Sequence, residues 1–394
     1  MFQSGKIPVT ARFDFAPSHS PADICLMPAL SLAPVLSFFA ACQRVSPVVP
    51  LRTFLRTTSN RLRPSAPSLF TAGVHTAQTA LPAKSGAALR QAASLWHEPH
   101  PGPVPTIVLG GFVPASTEQI FLLRGHLAKS GPLYYLNYAP DGFSLDLVCA
   151  QLDDLVSEIR LRHGQPPVIF SVSFGSGVLL EWLRRVRRAR RHAAVAGLIF
   201  ISPVACVEDL LTPGESKPST LLGRAVQPYF ASEDFNAAAV EKSRAIFARM
   251  FEAGAQNKAS LAFLLTRGEL TLLRDRVMET IRRISVRGAC ERVQALRQMP
   301  PLSGRDDLAP LSLAPTLVLY AEKESTVLTE TSPTRLELLT RTARWFPHHR
   351  TGVIANPRGI PVQHASLIFH GFNFLPVITA FYHRLKSGKF RRAA

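Results

Sequence analysis

The stretch "VIFSVSFGSGVLLEW", Val168 to Trp182, decides how the whole chain is read. Its first five residues suit a buried strand and its last ones place apolar side chains at helical spacing, so strand must turn into helix inside "SFGSG". A turn that sharp packs helix against strand, and tolerates only very small residues two positions before and two positions after the side chain it displays. Three serines compete for that position. Ser171 has Ile169 and Ser173 at those offsets, and Ser176 has Phe174 and Val178, so both fail. Ser173 has Ser171 and Gly175, and alone fits. The helix N-terminus after it favours negative charge developing beside Ser173, and the next backbone amide, that of Phe174, is a candidate oxyanion donor.

Outward from this turn, short apolar runs alternate with amphipathic stretches. "PTIVLGG" (Pro105–Gly111), "PLYYLNY" (Pro132–Tyr138), "PPVIFSV" (Pro166–Val172), "VAGLIFISP" (Val195–Pro203), "APTLVLYAE" (Ala314–Glu322) and "RTGVIA" (Arg350–Ala355) predict strands. "STEQIFLLRGHLAKSG" predicts a helix opened by a Ser116 and Gln119 capping box and stopped at Gly131. Further helices are predicted over Ser144–Gly164, from about Gly175 to Arg191, over Ser332–Phe346 and over Phe374–Leu385. Near-continuous apolar strands separated by helices predict an α/β protein with a mostly parallel central sheet covered on both faces. From about Leu210 to Arg305 the alternation stops and the pattern is helical throughout. Such a block is expected to be an insertion folded over the carboxyl edge of the sheet, where ligands bind in open parallel sheets. The implied organisation is an extension over residues 1–103, a core over 104–209, a helical cap over 210–305 and the rest of the core over 306–394.

With Ser173 at such a turn in this order of elements, the region from Pro105 to Leu385 resembles the α/β-hydrolase fold. The resemblance implies a serine hydrolase whose catalytic residues follow in the order nucleophile, acid, histidine. On that order the acid falls in "AEKESTVL" (Ala321–Leu328), where Glu324 stands at the usual offset from the strand, with Glu322, Glu208 and Asp209 in reserve. The base falls at His364 in "GIPVQHASLIF" (Gly359–Phe369), with His370 as the alternative. A second oxyanion donor is implied in "LGGFVPAS" (Leu109–Ser116), at the amide of Phe112, where Gly110 and Gly111 let the backbone approach. Three positions depart from the family's habit: Ser171 stands where glycine is usual, Gly110-Gly111 where His-Gly is frequent, and Glu324 where Asp is commoner. The implied activity is cleavage of a carboxylic ester, a thioester or a lipid-like acyl substrate through Ser173, His364 and Glu324. Acyl transfer, haloperoxidase-like chemistry on the same residues, and a non-catalytic scaffold bound to membrane or partner are the alternatives.

Composition narrows the rest. The 394 residues carry 45 Lys and Arg against 27 Asp and Glu, a formal charge of +18, which suits contact with an anionic membrane surface. Nucleic acid is not expected as a partner, because no interleaved basic and aromatic motif is present. The cysteines (Cys25, Cys42, Cys149, Cys206, Cys290) are odd in number and widely spaced, without CxxC or zinc-type spacing, so neither a metal nor a disulfide framework is expected. No cofactor is expected, and a reducing, cytoplasmic compartment is the simplest setting. "ICLMPALSLAPVLSFFAACQ" (Ile24–Gln43) is uncharged and long enough to cross a bilayer. Arg44, Arg52, Arg56, Arg61 and Arg63 follow it, a flank that would stay cytoplasmic. Anchor, targeting segment, uninformative tail and misassigned start all remain open for this region. The run "RRVRRARR" (Arg184–Arg191) is expected to be a solvated helix face near a negative helix end, a binding patch being the alternative. From Leu211 to Arg305 fifteen Lys and Arg face nine Asp and Glu, and the apolar runs "AFLL" and "LTLL" are expected to be packing. Together they suit an amphiphilic substrate with an acyl chain.

Overall fold

Strand period, more than any single residue, accounts for the architecture. A computed structural model of the chain describes residues 66–81, 91–231, 237–255, 267–302, 308–357 and 359–388, which fall within the unit Asn60–Ala394. Ile24–Gln43, its arginine flank, Cys25, Cys42 and the run "AFLL" lie outside the described residues. Eight strands form one sheet: β1 (Ser68–Leu69), β2 (Ser94–Glu98), β3 (Thr106–Leu109), β4 (Leu133–Asn137), β5 (Val168–Val172), β6 (Gly197–Ile201), β7 (Thr316–Ala321) and β8 (His349–Ile354). Their order is β1-β2-β4-β3-β5-β6-β7-β8, with β3 to β8 parallel and β1 and β2 added antiparallel at one edge.

Alternate residues of the parallel strands enter two separate cores. Ile107, Leu136, Ile169 and Phe200 pack beneath α1 (Leu145–His163) and α2 (Phe174–Arg188). Val108, Tyr135, Phe170 and Ile199 pack on the other face against the last helix of the described chain, Leu367–Lys386. Burial on both faces is why these strands show no polar alternation. Local signals set the helix ends: the Ser144 side chain accepts the Leu147 N–H at 3.3 Å where α1 begins, and Gly164, at φ 64°, ends it.

Between β6 and β7 the described residues form α3 (Leu221–Ala231), α4 (Ala237–Ala255), α5 (Arg267–Arg283) and α6 (Val286–Gln294). Past β7 come α7 (Pro333–Thr340) and, after β8, α8 (Leu367–Lys386). Phe251, Val277 and Ile281 of the helical block pack against Ile368 and Phe369 of α8. In the sheet β3 has β4 on one side and β5 on the other, so the chain changes its direction of travel across the sheet between them. Loops leaving the carboxyl ends of two such strands diverge and leave a crevice between them.

Several boundaries differ from the sequence expectation. The sheet begins before residue 104, because β1 and β2 belong to it. A strand added antiparallel needs no crossover helix, so "SLWHE" lacks the strand and helix alternation that marks the rest. The helix expected over Ser116–Gly131 is two short pieces, Ser116–Gln119 and Arg124–Leu127, and Ser116 and Gln119 form no capping box. α2 stops at Arg188, and the helix expected from Phe374 starts at Leu367, with a kink at His370. Three arginines of the run meet carboxylates: Arg185 meets Asp146 at 2.7 Å and Glu181 at 2.9 Å, Arg188 meets Glu181 at 3.1 Å, and Arg191 meets Asp153 at 3.0 Å. Among the described residues no helix is long and apolar enough to cross a membrane.

Asp209, a reserve acid, is spent on the fold. It is fully buried after β6, where Oδ2 accepts the Ala205 and Cys206 amides at 2.8 and 3.2 Å. Oδ1 accepts the Ser332 hydroxyl at 2.6 Å and the Thr334 amide at 3.1 Å, tying this loop to the start of α7. Both oxygens are acceptors only, so the isosteric Asp209→Asn must turn an NH2 group against two donors. A loss of roughly 2–4 kcal/mol is expected in urea unfolding; an unchanged midpoint would reject this role.

Candidate active site

The turn after β5 is built from close backbone contacts. Ser173 has φ 51° and ψ −118°, a region that costs a non-glycine residue on the order of 1–3 kcal/mol. It is held by its own N–H, which donates to Ile201 O at 2.8 Å, and by its carbonyl, which accepts the Ser176 and Val204 amides at 2.9 and 3.2 Å. A Cβ on Gly175 would lie 2.4 Å from Gly110 O, and one on Gly177 would lie 2.4 Å from Val204 O, so only glycine fits either place. The neighbouring serines are turned inward. Ser171 and Ser176 are fully buried; Ser176 Oγ donates to Ser171 Oγ at 3.1 Å, and Ser171 Oγ donates to Ile199 O at 2.9 Å.

Three residues far apart in sequence meet here. Ser173 Oγ stands 2.9 Å from Nε2 of His364, and Nδ1 of the same ring is hydrogen-bonded to Oε2 of Glu324. Glu324, buried beyond β7, also accepts the Ala321 N–H and the Ser202 hydroxyl, each at 2.7 Å on Oε1. Burial opposes its ionisation, but the neighbouring His364 charge and the hydrogen bonds from His364, Ser202 and Ala321 outweigh that and hold the carboxyl below the ordinary Glu value. With Glu324 ionised, Nδ1 carries the proton and Nε2 faces Ser173 as an acceptor.

The reserve residues do other work. Glu322 is exposed; its Oε1 accepts the Asn356 and Val362 amides at 2.9 and 2.7 Å, shaping the loop that carries His364. His370 is buried at the kink of α8, where Nε2 donates to Ile360 O at 3.1 Å and Nδ1 accepts from Ser366 Oγ at 3.0 Å. Burial lowers its pKa, so it bridges that loop as a neutral ring. Glu208 is half-buried, and its carbonyl accepts the Thr329 hydroxyl at 3.1 Å.

Sequence reasoning missed Ser202. At φ 46° after β6, its hydroxyl donates to Glu324 and accepts the Ala365 N–H at 3.1 Å, so one side chain fixes the acid and the backbone next to His364. It also misread Ser116 and Gln119. Ser116 Oγ accepts the Gly110 N–H at 2.8 Å and donates to Leu136 O at 2.8 Å, while Gln119 Oε1 accepts the Gly111 N–H at 2.7 Å. Both side chains hold the loop after β3. The Phe112 ring stacks on the Phe174 ring, with centroids 4.4 Å apart and planes 16° apart. Neither the Phe112 nor the Phe174 amide finds a hydrogen-bond acceptor among the described residues.

Ser173, His364 and Phe112 open on a cavity of about 620 Å³, walled by the helical block through apolar side chains such as Leu222, Phe247, Phe251 and Ile281. A second cavity of about 50 Å³ lies between the block and the loop after β3 and shares the walls Phe112, Val113, Phe247 and Ile281. No group of three or more His, Cys, Asp or Glu that could hold a metal ion occurs among the described residues. Cys149, Cys206 and Cys290 are buried thiols outside any disulfide, and burial pushes Cys149 up to about 12, far from a reactive thiolate.

No protein-family model and no curated protein matches the chain by sequence. Solved structures match it in fold. An esterase from Thermogutta terrifontis with malate bound is 16% identical over 82% of this chain and 99% of that one, with a TM-score of 0.52. A membrane phospholipase A described as a bacterial virulence factor is 12% identical over 91% of this chain and 98% of that one, at 0.51. The F128A mutant of an epoxide hydrolase from Bacillus megaterium, with its diol product, is 12% identical over 75% and 97%, at 0.50. Likeness at these identities is likeness of fold, and with the parallel sheet, the turn at Ser173 and the helices on both faces it has one meaning: the chain has the α/β-hydrolase fold.

Proposed function

We propose that the protein is a serine hydrolase that cleaves carboxylic esters through an acyl-enzyme, with Ser173 as nucleophile, His364 as general base and acid, and Glu324 as the residue that orients His364. The observation that carries this reading is the continuous hydrogen-bonded path from Ser173 Oγ through both nitrogens of His364 to a buried carboxylate. Ser173 Oγ attacks the ester carbonyl carbon while its proton passes to His364 Nε2. Negative charge gathers on the former carbonyl oxygen, and the free amides of Phe112 and Phe174 supply the donors it needs. Collapse breaks the bond to the alkoxy group, which leaves as alcohol with the proton from His364. A water then repeats the sequence on the acyl-enzyme and releases the acid.

The cavity supports an acyl group of lipid-like character. At about 620 Å³ it lies within the range of small-molecule sites, and its walls are mostly apolar side chains. Arg249 stands exposed at its wall, suited to an anionic group at the wet end of a substrate. Among structures of this fold, the esterase and the phospholipase named above act on ester bonds, which agrees with the reading.

A fluorophosphonate probe tests it: native protein is expected to label and Ser173→Ala not to, and equal labelling of the two would sink the assignment. On a p-nitrophenyl ester, Ser173→Ala and His364→Ala should each lower kcat by on the order of 10⁴-fold or more. Phe247→Ala should join the two cavities and move the preferred acyl length upward. The gain is about fourfold in kcat/KM for each methylene newly buried, corresponding to roughly 0.8 kcal/mol; an unchanged chain-length profile would show that this wall does not meet the acyl chain. Because the folded carboxyl of Glu324 lies below its ordinary pKa, it contributes stability above the ordinary Glu range that is lost as pH falls through the folded value. Denaturant melts should therefore show a shallower acid decline in Glu324→Gln than in the native chain, and parallel curves would contradict the ionised pair.

A further inference from the structure

Arg292 is nearly fully buried, at 5% exposure, yet it makes no ion pair among the described residues. Its neighbour Glu291 is engaged elsewhere, 2.7 Å from Arg287. A buried cation without a counter-ion is costly, and desolvation pulls its pKa down to about 10, still charged at neutral pH. Three backbone carbonyls take the place of a carboxylate. Nη1 donates to Phe112 O at 2.9 Å, and Nη2 donates to Tyr138 O at 3.2 Å and Ala139 O at 2.8 Å. One planar fork thus joins the loop after β3 to the loop after β4.

The helix that carries it is anchored to the second of these loops. A Cβ on Gly288 would lie 2.1 Å from Pro140 O, so α6 rests directly on that backbone. The Ser285 N–H donates to Pro140 O at 2.9 Å, and the Phe143 N–H donates to Glu291 Oε2 at 2.7 Å. Arg292 therefore reaches Phe112 from a fixed base. The Gly111 N–H is tied to Gln119 and the Phe112 carbonyl to Arg292, so the intervening peptide, which bears the Phe112 N–H, is held from both sides.

Resting on the hydrolase reading above, we propose that Arg292 is a positioning residue that aims the Phe112 amide at the developing oxyanion and adds fixed positive charge behind it. The helical block is then more than a lid over the substrate, since it completes the oxyanion hole from outside the α/β core. In a water-poor site a fixed charge acts on the transition state without reorganisation at the moment of reaction. Arginine is suited to this because its rigid fork meets several acceptors at once, whereas lysine offers a single point of charge.

The test uses the full chain with Arg292→Gln and Arg292→Lys, a p-nitrophenyl ester, and a trifluoromethyl ketone that forms a tetrahedral oxyanion adduct with the nucleophile. Arg292→Gln should lower kcat about 10- to 100-fold, below the cost of deleting a direct donor, with KM changed by no more than about twofold. Affinity for the trifluoromethyl ketone should fall in the same proportion, while affinity for the corresponding alcohol stays. Arg292→Lys should recover part of both losses. A folded variant of either kind with native ketone affinity, or a change confined to KM, would overturn the proposal. Unfolding of both variants would make Arg292 a structural residue and overturn it too. Fluorophosphonate labelling separates the two readings: an unlabelled native chain defeats the hydrolase assignment, whereas a labelled native chain with unaffected variants defeats only the role of Arg292.

Discussion

Two backbones pressed together at the carboxyl ends of β3 and β5 set the geometry on which the site depends. The first turn of α2 approaches the loop after β3 so closely that a single Cβ at Gly175 would overlap the Gly110 carbonyl. For β5 to end and α2 to begin within that gap, the chain must reverse at one residue, and Ser173 takes the strained conformation this demands. The strain is local, and the apolar cores on the two faces of the sheet outweigh it. The same approach stacks the Phe112 ring on the Phe174 ring. The strained turn at Ser173 and the stacked rings beside it are thus consequences of one packing event.

Around this turn, buried hydroxyls do the joining that apolar contacts cannot. Ser171 ties β5 to β6, Ser116 ties the loop after β3 to β4, and Ser202 ties the end of β6 to Glu324 and the backbone beside His364. Apolar packing fixes distances between layers, but it is non-directional and leaves loop rotation free. A hydroxyl that donates once and accepts once fixes orientation as well, and when buried it is expensive to leave unpaired. Each of the three links a pair of neighbouring strand ends, which lets residues on separate loops hold hydrogen-bonding distances.

What was legible in the sequence follows from the range of the forces involved. Near-continuous apolar strands and helical periods are local, so the α/β class and the parallel strands could be read directly, and the small residues around Ser173 marked the turn. Glu324 and His364 were reachable only because the order of elements placed their loops, and the resemblance supplied that order. Ser202 had no such signal, since "ISPVA" looks like any strand end and its role exists only once β7 and the His364 loop lie beside it. Ser116 and Gln119 carried a genuine local pattern with the wrong partner: the side chains that could have capped a helix met the Gly110 and Gly111 amides instead. The strand β2 escaped because antiparallel pairing leaves no helix in its wake.

Charge shows the same division between sequence and space. Six arginines in eight residues are the most conspicuous feature of the chain, yet Arg185, Arg188 and Arg191 are met by Asp146, Glu181 and Asp153 on α1 and α2. Such partly exposed pairs contribute little each and leave little field beyond their immediate surroundings. Arg292 is a lone letter in "ACERVQ", with a carboxylate beside it in sequence that is turned to Arg287. Its weight comes from desolvation: a cation removed from water, and offset by carbonyl dipoles and the Tyr138 ring, keeps a weakly screened field at the carbonyls it touches. Counting residues draws attention to Arg184–Arg191, whereas the arginine that touches the Phe112 backbone is found only from its surroundings in space.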